Sequence, residues 1–107
     1  MQFEIGNEQW NLYFIPPFSD VFLTSDGRRT VGVTDRSTNE VFIANNLTPE
    51  FEWKVLCHEI VHTAIKSYNI DLTIDQEELI ADLIATYGDE ILDVTDRIFS
   101  KLHKNYA

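Results

Sequence analysis

Two histidines and a glutamate lie within five consecutive residues, in the run His58-Glu59-Ile60-Val61-His62. A helix has about 3.6 residues per turn, so residues four apart project from one face and both imidazoles can reach a single metal ion. Glu59 is offset from its neighbour His58 by about 100°, which suits a carboxylate that acts on a water molecule rather than on the metal. The pattern H-E-x-x-H on a helix is typical of zinc peptidases. We therefore predict His58 and His62 as metal ligands and Glu59 as a general base.

The surroundings of this motif indicate a buried helix. From position 55 to position 65 the residues are apolar or small, apart from His58, Glu59, His62 and Thr63. A buried charge without a partner is very costly, and a metal ion would satisfy both histidines and the glutamate. The alternative is that these side chains are hydrogen-bonded core residues that bind no metal.

A catalytic zinc ion needs a third protein ligand and an open fourth position for water. Between residues 75 and 85, spacings of three and four place four residues on one helical face, namely Glu78, Ala81, Asp82 and Ala85. The small alanines allow this face to approach the histidine helix closely. We predict that Glu78 is the third ligand and that Asp82 accepts the free ring N–H of a ligating histidine.

Other assignments compete with this one. Glu77 is the rival ligand, but it points about 100° away from Glu78, and we predict that its removal affects neither metal binding nor hydrolysis. A solvated acidic helix face is the alternative role for Glu78 and Asp82. Cys57 points about 100° away from its histidine neighbour and is expected to be a buried core thiol. His103 lies near the C-terminus, where a cation at a helix end is the expected role.

The two motifs together resemble the gluzincin pattern, in which H-E-x-x-H is followed by E-x-x-x-D on the next helix. More narrowly, the run Glu78-Leu-Ile-Ala-Asp82-Leu-Ile-Ala85 is similar to the E-x-x-A-[ND]-x-x-A run of the small ImmA/IrrE-type metallopeptidases. These proteins occur in mobile elements and phages as well as in bacterial genomes. The resemblance extends upstream to Gly32-Val-Thr-Asp35 and Glu40-Val-Phe-Ile43.

This resemblance implies one zinc ion per chain, held by His58, His62 and Glu78, with Glu59 as general base and Asp82 orienting a ligand. The resemblance covers about residues 30–90 and also implies an α+β, zincin-like fold, and the length of the chain predicts that residues 1–107 form a single domain. A small antiparallel β-sheet would pack on the histidine helix, a second ligand-bearing helix and a C-terminal helix. The implied activity is hydrolysis of a peptide bond in a protein or peptide, such as a DNA-binding regulator of the repressor type.

Composition narrows the classes of function. The chain has 107 residues, 44% of them hydrophobic, and a formal net charge of −10, which fits one small acidic domain. Direct nucleic-acid binding is not expected, because phosphate binding needs clustered cations and the only adjacent basic pair is Arg28-Arg29. An acidic surface favours a basic protein partner. The single cysteine, the lack of a signal-peptide pattern and the lack of a membrane-length apolar run predict the cytoplasm, or the host cytoplasm for a phage-encoded chain.

A second class of function stays open, namely a catalytically silent zinc-binding module that binds or inhibits a partner protein. A purely structural zinc ion needs no general base and usually has a closed fourth position, so an intact Glu59 favours the enzyme. Cobalt and manganese are alternative metals for the same site.

The elements that must position these residues can be read from local signals. Strands are predicted at residues 2–5 and 10–15 and in a hairpin of residues 29–34 and 40–44, and a substrate strand could add along residues 40–44. Six aromatic residues are expected to be core and sheet residues, namely Phe3, Trp10, Tyr13, Phe14, Phe18 and Phe22.

The first helix is predicted to begin after an N-cap at Thr48 and to end near Tyr68, with a left-handed residue at Asn69. The second helix can begin with a capping box of residues 73 and 76 or of residues 75 and 78, and the latter would keep Glu78 away from a metal. Gly88 and Asp89 are expected to kink or break this helix, and residues 91–102 are predicted to form an amphipathic C-terminal helix that packs back on the core or carries a partner interface. Tyr68 and Tyr87 are weak candidates for a donor to the oxyanion, with core packing as the alternative.

Overall fold

Four strands form one mixed sheet in this computed structural model, which describes residues 1–104. The strands are Gln2–Ile5 (β1), Glu8–Ile15 (β2), Gly32–Asp35 (β3) and Glu40–Ala44 (β4), and their order across the sheet is β1, β2, β4, β3. The two hairpins are antiparallel, which confirms the predicted hairpin with residues 40–44, although its first strand is residues 32–35 rather than 29–34; β2 and β4, however, run parallel. The prediction of a purely antiparallel sheet is therefore wrong. Residues 16–31 connect the end of β2 to the start of β3 across one end of the sheet. Strand β3 therefore runs antiparallel to β2 at the edge of the sheet, and β4, which pairs antiparallel with β3, runs parallel to β2.

Within the described residues, two helices follow the sheet and complete an α+β fold. Helix α1 is Pro49–Ser67, its N-cap Thr48 accepts a hydrogen bond from the backbone N–H of Phe51, and Asn69 has a left-handed φ of 54°. Both ends of α1 therefore agree with the local signals. Among the described residues, neither helix is both long and apolar enough to cross a membrane.

Helix α2 is Ile74–Leu102, a single helix of 29 residues. It begins with the capping box of Thr73 and Gln76, so the carboxylate of Glu78 is not used at the helix start. The predicted break at Gly88 and the separate C-terminal helix are wrong. A glycine inside a helix costs only about 1 kcal/mol relative to alanine, and no proline follows to end the helical hydrogen bonding.

The core lies between the sheet and α1. It consists of buried side chains from β2, β4 and α1, namely Trp10, Leu12, Val41, Ile43 and Val55. The indole N–H of Trp10 donates to the hydroxyl of Ser67 at 2.9 Å, which ties β2 to the last turn of α1. Of the six aromatic residues expected in the core and the sheet, Trp10 and Phe22 are fully buried and Phe3 is partly buried. Tyr13 and Phe14 are exposed residues of β2, and Phe18 is exposed outside the sheet. Tyr13 lies on the other face of the sheet, where it stacks on Phe42.

Strand β3 passes very close to α1 at Gly32. A Cβ atom on Gly32 would lie 2.8 Å from Cγ1 of Val55 and 3.0 Å from Cγ and Oε2 of Glu59. We expect Gly32→Ala to lower the free energy of unfolding by about 1–3 kcal/mol, because the extra methyl overpacks this contact. Urea denaturation would measure the change. Gly88→Ala is the matched control and should not destabilise, because its Cβ would meet only the exposed side chain of Ile84; a fully stable Gly32→Ala would contradict the close approach.

Candidate metal centre

Three potential metal ligands converge between α1 and α2. His58 and His62 lie one turn apart on α1, and their Nε2 atoms are 3.1 Å apart. The two carboxylate oxygens of Glu78 on α2 lie 3.2 Å from Nε2 of His58 and 2.9 Å from Nε2 of His62. Ligand atoms of all three residues lie within 4.8 Å of one another. The antiparallel helix pair thus brings together the three residues that the sequence motifs single out.

Asp82 lies one turn after Glu78 on α2 and contacts the far side of the His58 ring. Its Oδ1 atom is 3.0 Å from Nδ1 of His58. Because a carboxylate can only accept a hydrogen bond, this contact places the ring proton of His58 on Nδ1. Nε2 of His58 is then free to bind a metal ion.

Glu77 accepts the hydrogen bond from the ring N–H of His62, as Asp82 does for His58. This contact was not predicted from the sequence. The side chain of Glu77 is buried, and its Oε1 atom lies 2.6 Å from Nδ1 of His62. The guanidinium of Arg36, from the turn between β3 and β4, pairs with the same oxygen. The 100° offset from Glu78 is the signal that could have found this role, because it turns Glu77 away from the metal position and toward the other ring nitrogen.

These contacts define the electrostatics of the centre. With both Nδ1 atoms donating to carboxylates, the Nε2 lone pairs of His58 and His62 face each other and the Glu78 carboxylate. Burial lowers the pKa of His62, which favours its neutral ring. Electron-pair donors that converge without a proton between them repel one another, and a bound cation would remove that repulsion. Two imidazoles and a carboxylate are a donor set that suits zinc.

Glu59 projects into the same cleft but is not part of the ligand cluster. It is buried, and the hydroxyl of Thr34 on β3 donates a hydrogen bond of 2.9 Å to its Oε1 atom. Burial raises the pKa of the Glu59 carboxyl, and the hydrogen bond from Thr34 opposes this shift. A carboxylate with a raised pKa that is held by one hydrogen bond is suited to accept and return a proton.

The cleft in front of the centre is open and has a volume of about 610 Å³. Strand β3 forms one wall and the start of α2 forms the other. Besides the histidines and glutamates, its lining includes Val33, Thr34, Arg36, Leu72 and Ile74. The side chain of Glu78 is 49% exposed, so the ligand cluster is accessible to water and to a substrate from this cleft.

Four other residues from the sequence analysis do not line this cleft. Cys57 is half-buried rather than fully buried, and burial raises the pKa of its thiol. His103 is the C-cap of α2, and its ring contacts Phe99 at a centroid distance of 4.4 Å. Tyr68 and Tyr87 are 60% and 55% exposed, so neither packs in the core and neither is placed to contact a substrate carbonyl in the cleft.

The contact between Glu77 and His62 changes our expectation for Glu77. We now expect Glu77→Ala to weaken zinc binding by about 10- to 100-fold, as is usual when the group that orients a ligating histidine is removed. Competition with a chromophoric chelator would measure the affinity. Asp75→Ala, which removes an exposed acid from the same first turn of α2, is the matched control and should bind zinc like the wild type. Equal affinities for Glu77→Ala and the wild type would contradict the orienting role.

The chain was also compared with known proteins. No protein-family model, curated protein or solved structure matches it. Its function therefore has to be inferred from the geometry and chemistry of the centre.

Proposed function

We propose that the chain is a zinc-dependent metallopeptidase of the gluzincin type, with a zincin-like arrangement of its two helices. The observation that carries the proposal is the convergence of His58, His62 and Glu78 beside a buried Glu59 in an open cleft. A structural zinc site would not need the additional carboxylate, and it would usually be closed by a fourth protein ligand.

The residues present fit the reaction. His58, His62 and Glu78 would hold the zinc ion, which when bound lowers the pKa of a water molecule and polarises the scissile carbonyl. Glu59 accepts the proton of the attacking water and later passes it to the leaving amine nitrogen. The hydroxyl of Thr34 keeps the Glu59 carboxylate oriented during both transfers.

A peptide substrate would bind as an additional strand along β3. Residues 40–44, the strand predicted for this role from the sequence, form β4, which lies between β2 and β3 and has both of its edges already paired. Strand β3 is the edge of the sheet, and Gly32, Val33 and Thr34 line the cleft. Backbone hydrogen bonds to this edge would position a scissile peptide in front of Glu59. The net charge of −10 favours a basic protein as substrate, such as a DNA-binding regulator.

The proposal is tested by metal analysis and a cleavage screen. Protein without a histidine tag should contain close to one zinc per chain by elemental analysis. It should cleave members of a random peptide library, detected by mass spectrometry, and a chelator should stop cleavage until zinc is restored. One zinc per chain without any cleavage would indicate the silent binding module instead, and a folded protein that takes up no zinc would overturn both functions.

A further inference from the structure

The C-terminal half of α2 extends beyond the rest of the molecule. A helix of 29 residues is about 43 Å long, and the longest dimension of the structure is 54 Å against 31 and 28 Å for the other two. Every described residue from Asp89 onward is exposed. We call residues 89–102 of α2 the helical extension.

The helical extension carries an apolar stripe that begins just before it. Five residues spaced three and four apart form this stripe, namely Ile84, Tyr87, Ile91, Val94 and Ile98, and they are 38–55% exposed. Leu92, Phe99 and Leu102 lie beside it and are exposed as well. Alternating spacings of three and four, sustained along a helix, are typical of a seam that packs against another helix. The exposed seam indicates a missing helical partner.

The charges along the extension indicate which helix that partner is. Its first half carries three acids and no base, namely Asp89, Glu90 and Asp93, whereas both of its basic residues, Arg97 and Lys101, lie in the second half together with one acid, Asp96. Two copies of this helix that run antiparallel place the acidic half of each opposite the basic end of the other. We propose that the chain forms a two-fold symmetric homodimer through antiparallel packing of the helical extensions.

The seam and the charges agree on the register of this dimer. In an antiparallel pair of such seams, Ile91 packs beside Val94 of the second copy and Tyr87 beside Ile98 of the second copy. Glu90 and Arg97 occupy the same flank of the seam, one heptad apart, so Glu90 of each copy faces Arg97 of the other. Arg97 uses its Nε atom for Asp93 of its own helix at 3.0 Å, which leaves its terminal N–H groups for the second copy.

A parallel dimer would lack these features. Glu90 would then face Thr95 of the second copy, which has no charge, and the two acidic bodies would lie side by side. The antiparallel arrangement instead holds the bodies at opposite ends of the helix pair. It also leaves the metal centre accessible, because the cleft lies at the start of α2 and the extension at its end.

Sedimentation velocity of the zinc-supplied chain over a range of concentrations tests the proposal. We expect the wild type to reach twice the 12.4 kDa mass of one chain and Ile91→Asp to weaken association by about 100-fold or more. Phe18→Asp, which alters a 78% exposed aromatic residue outside α2, is the matched control and should dimerise like the wild type. Circular dichroism should show unchanged helix content in both variants.

A charge exchange distinguishes the antiparallel dimer from other associations. Glu90→Arg and Arg97→Glu should each weaken association by about tenfold, because each places like charges opposite one another. The double variant should regain most of the wild-type affinity. A wild type that stays at 12.4 kDa at all concentrations, an unaffected Ile91→Asp or a double variant weaker than both single variants would each overturn the proposal.

Discussion

Glu59→Gln should abolish peptide hydrolysis while the protein keeps its zinc. Glutamine has nearly the same shape and its amide oxygen can still accept the hydrogen bond from Thr34, but it cannot take a proton from water at neutral pH. Removal of a general base typically costs about 10²- to 10⁴-fold in rate. Glu59 lies outside the ligand cluster, so the metal content should stay at the wild-type value.

The two readouts for this variant are the rate of cleavage of a library-derived peptide and elemental analysis of the same sample. Glu52→Gln is the matched control, because it makes the same chemical change two turns earlier on α1 and away from the cleft. It should retain both activity and zinc. A Glu59→Gln variant that still cleaves at the wild-type rate would exclude Glu59 as the base, and one that loses its zinc would indicate a structural role.

Glu78→Ala should have the largest effect on metal binding. It removes one of three converging ligands, so we expect zinc affinity to fall by more than the about 10- to 100-fold expected for an orienting group such as Glu77. The paired Nε2 atoms of His58 and His62, 3.1 Å apart, would remain as an incomplete site. Because metal binding is linked to folding, the variant should also gain less thermal stability from added zinc than the wild type does.

Chelator competition and thermal unfolding with and without zinc measure these effects. Asp75→Ala removes an exposed acid from the same helix that does not line the cleft, and it should leave both zinc affinity and zinc-dependent stability unchanged. Equal losses of affinity in Glu77→Ala and Glu78→Ala would contradict the assignment of Glu78 as the ligand. The geometry predicts that zinc affinity falls most in Glu78→Ala, less in Glu77→Ala and not at all in Asp75→Ala.

The sequence by itself determined the features that depend on near neighbours. The 3.6-residue period places His58 and His62 on one face, and the same period places Glu78 and Asp82 one turn apart. The cap at Thr48, the left-handed Asn69 and the hairpin of β3 and β4 are also local, because they depend on backbone hydrogen bonds within a few residues. For this reason the three candidate ligands could be named before their distances were known.

The tertiary structure alone decided which side chains meet across elements. Thr34 reaches Glu59 only because β3 lies against α1 at a glycine, and Arg36 reaches Glu77 only because the β3–β4 turn lies beside the start of α2. No periodicity encodes such contacts, since they depend on the angle and distance at which separate elements pack.

The parallel pairing of β2 with β4 and the unbroken α2 were decided in the same way. The direction of β4 relative to β2 depends on the path that residues 16–31 take across the end of the sheet. The alternation of apolar residues along a strand does not specify that path. Helix α2 continues past Gly88 because a glycine destabilises a helix by only about 1 kcal/mol relative to alanine. This cost is too small to interrupt a helix that continues on both sides. That continuity produces the helical extension and its exposed seam.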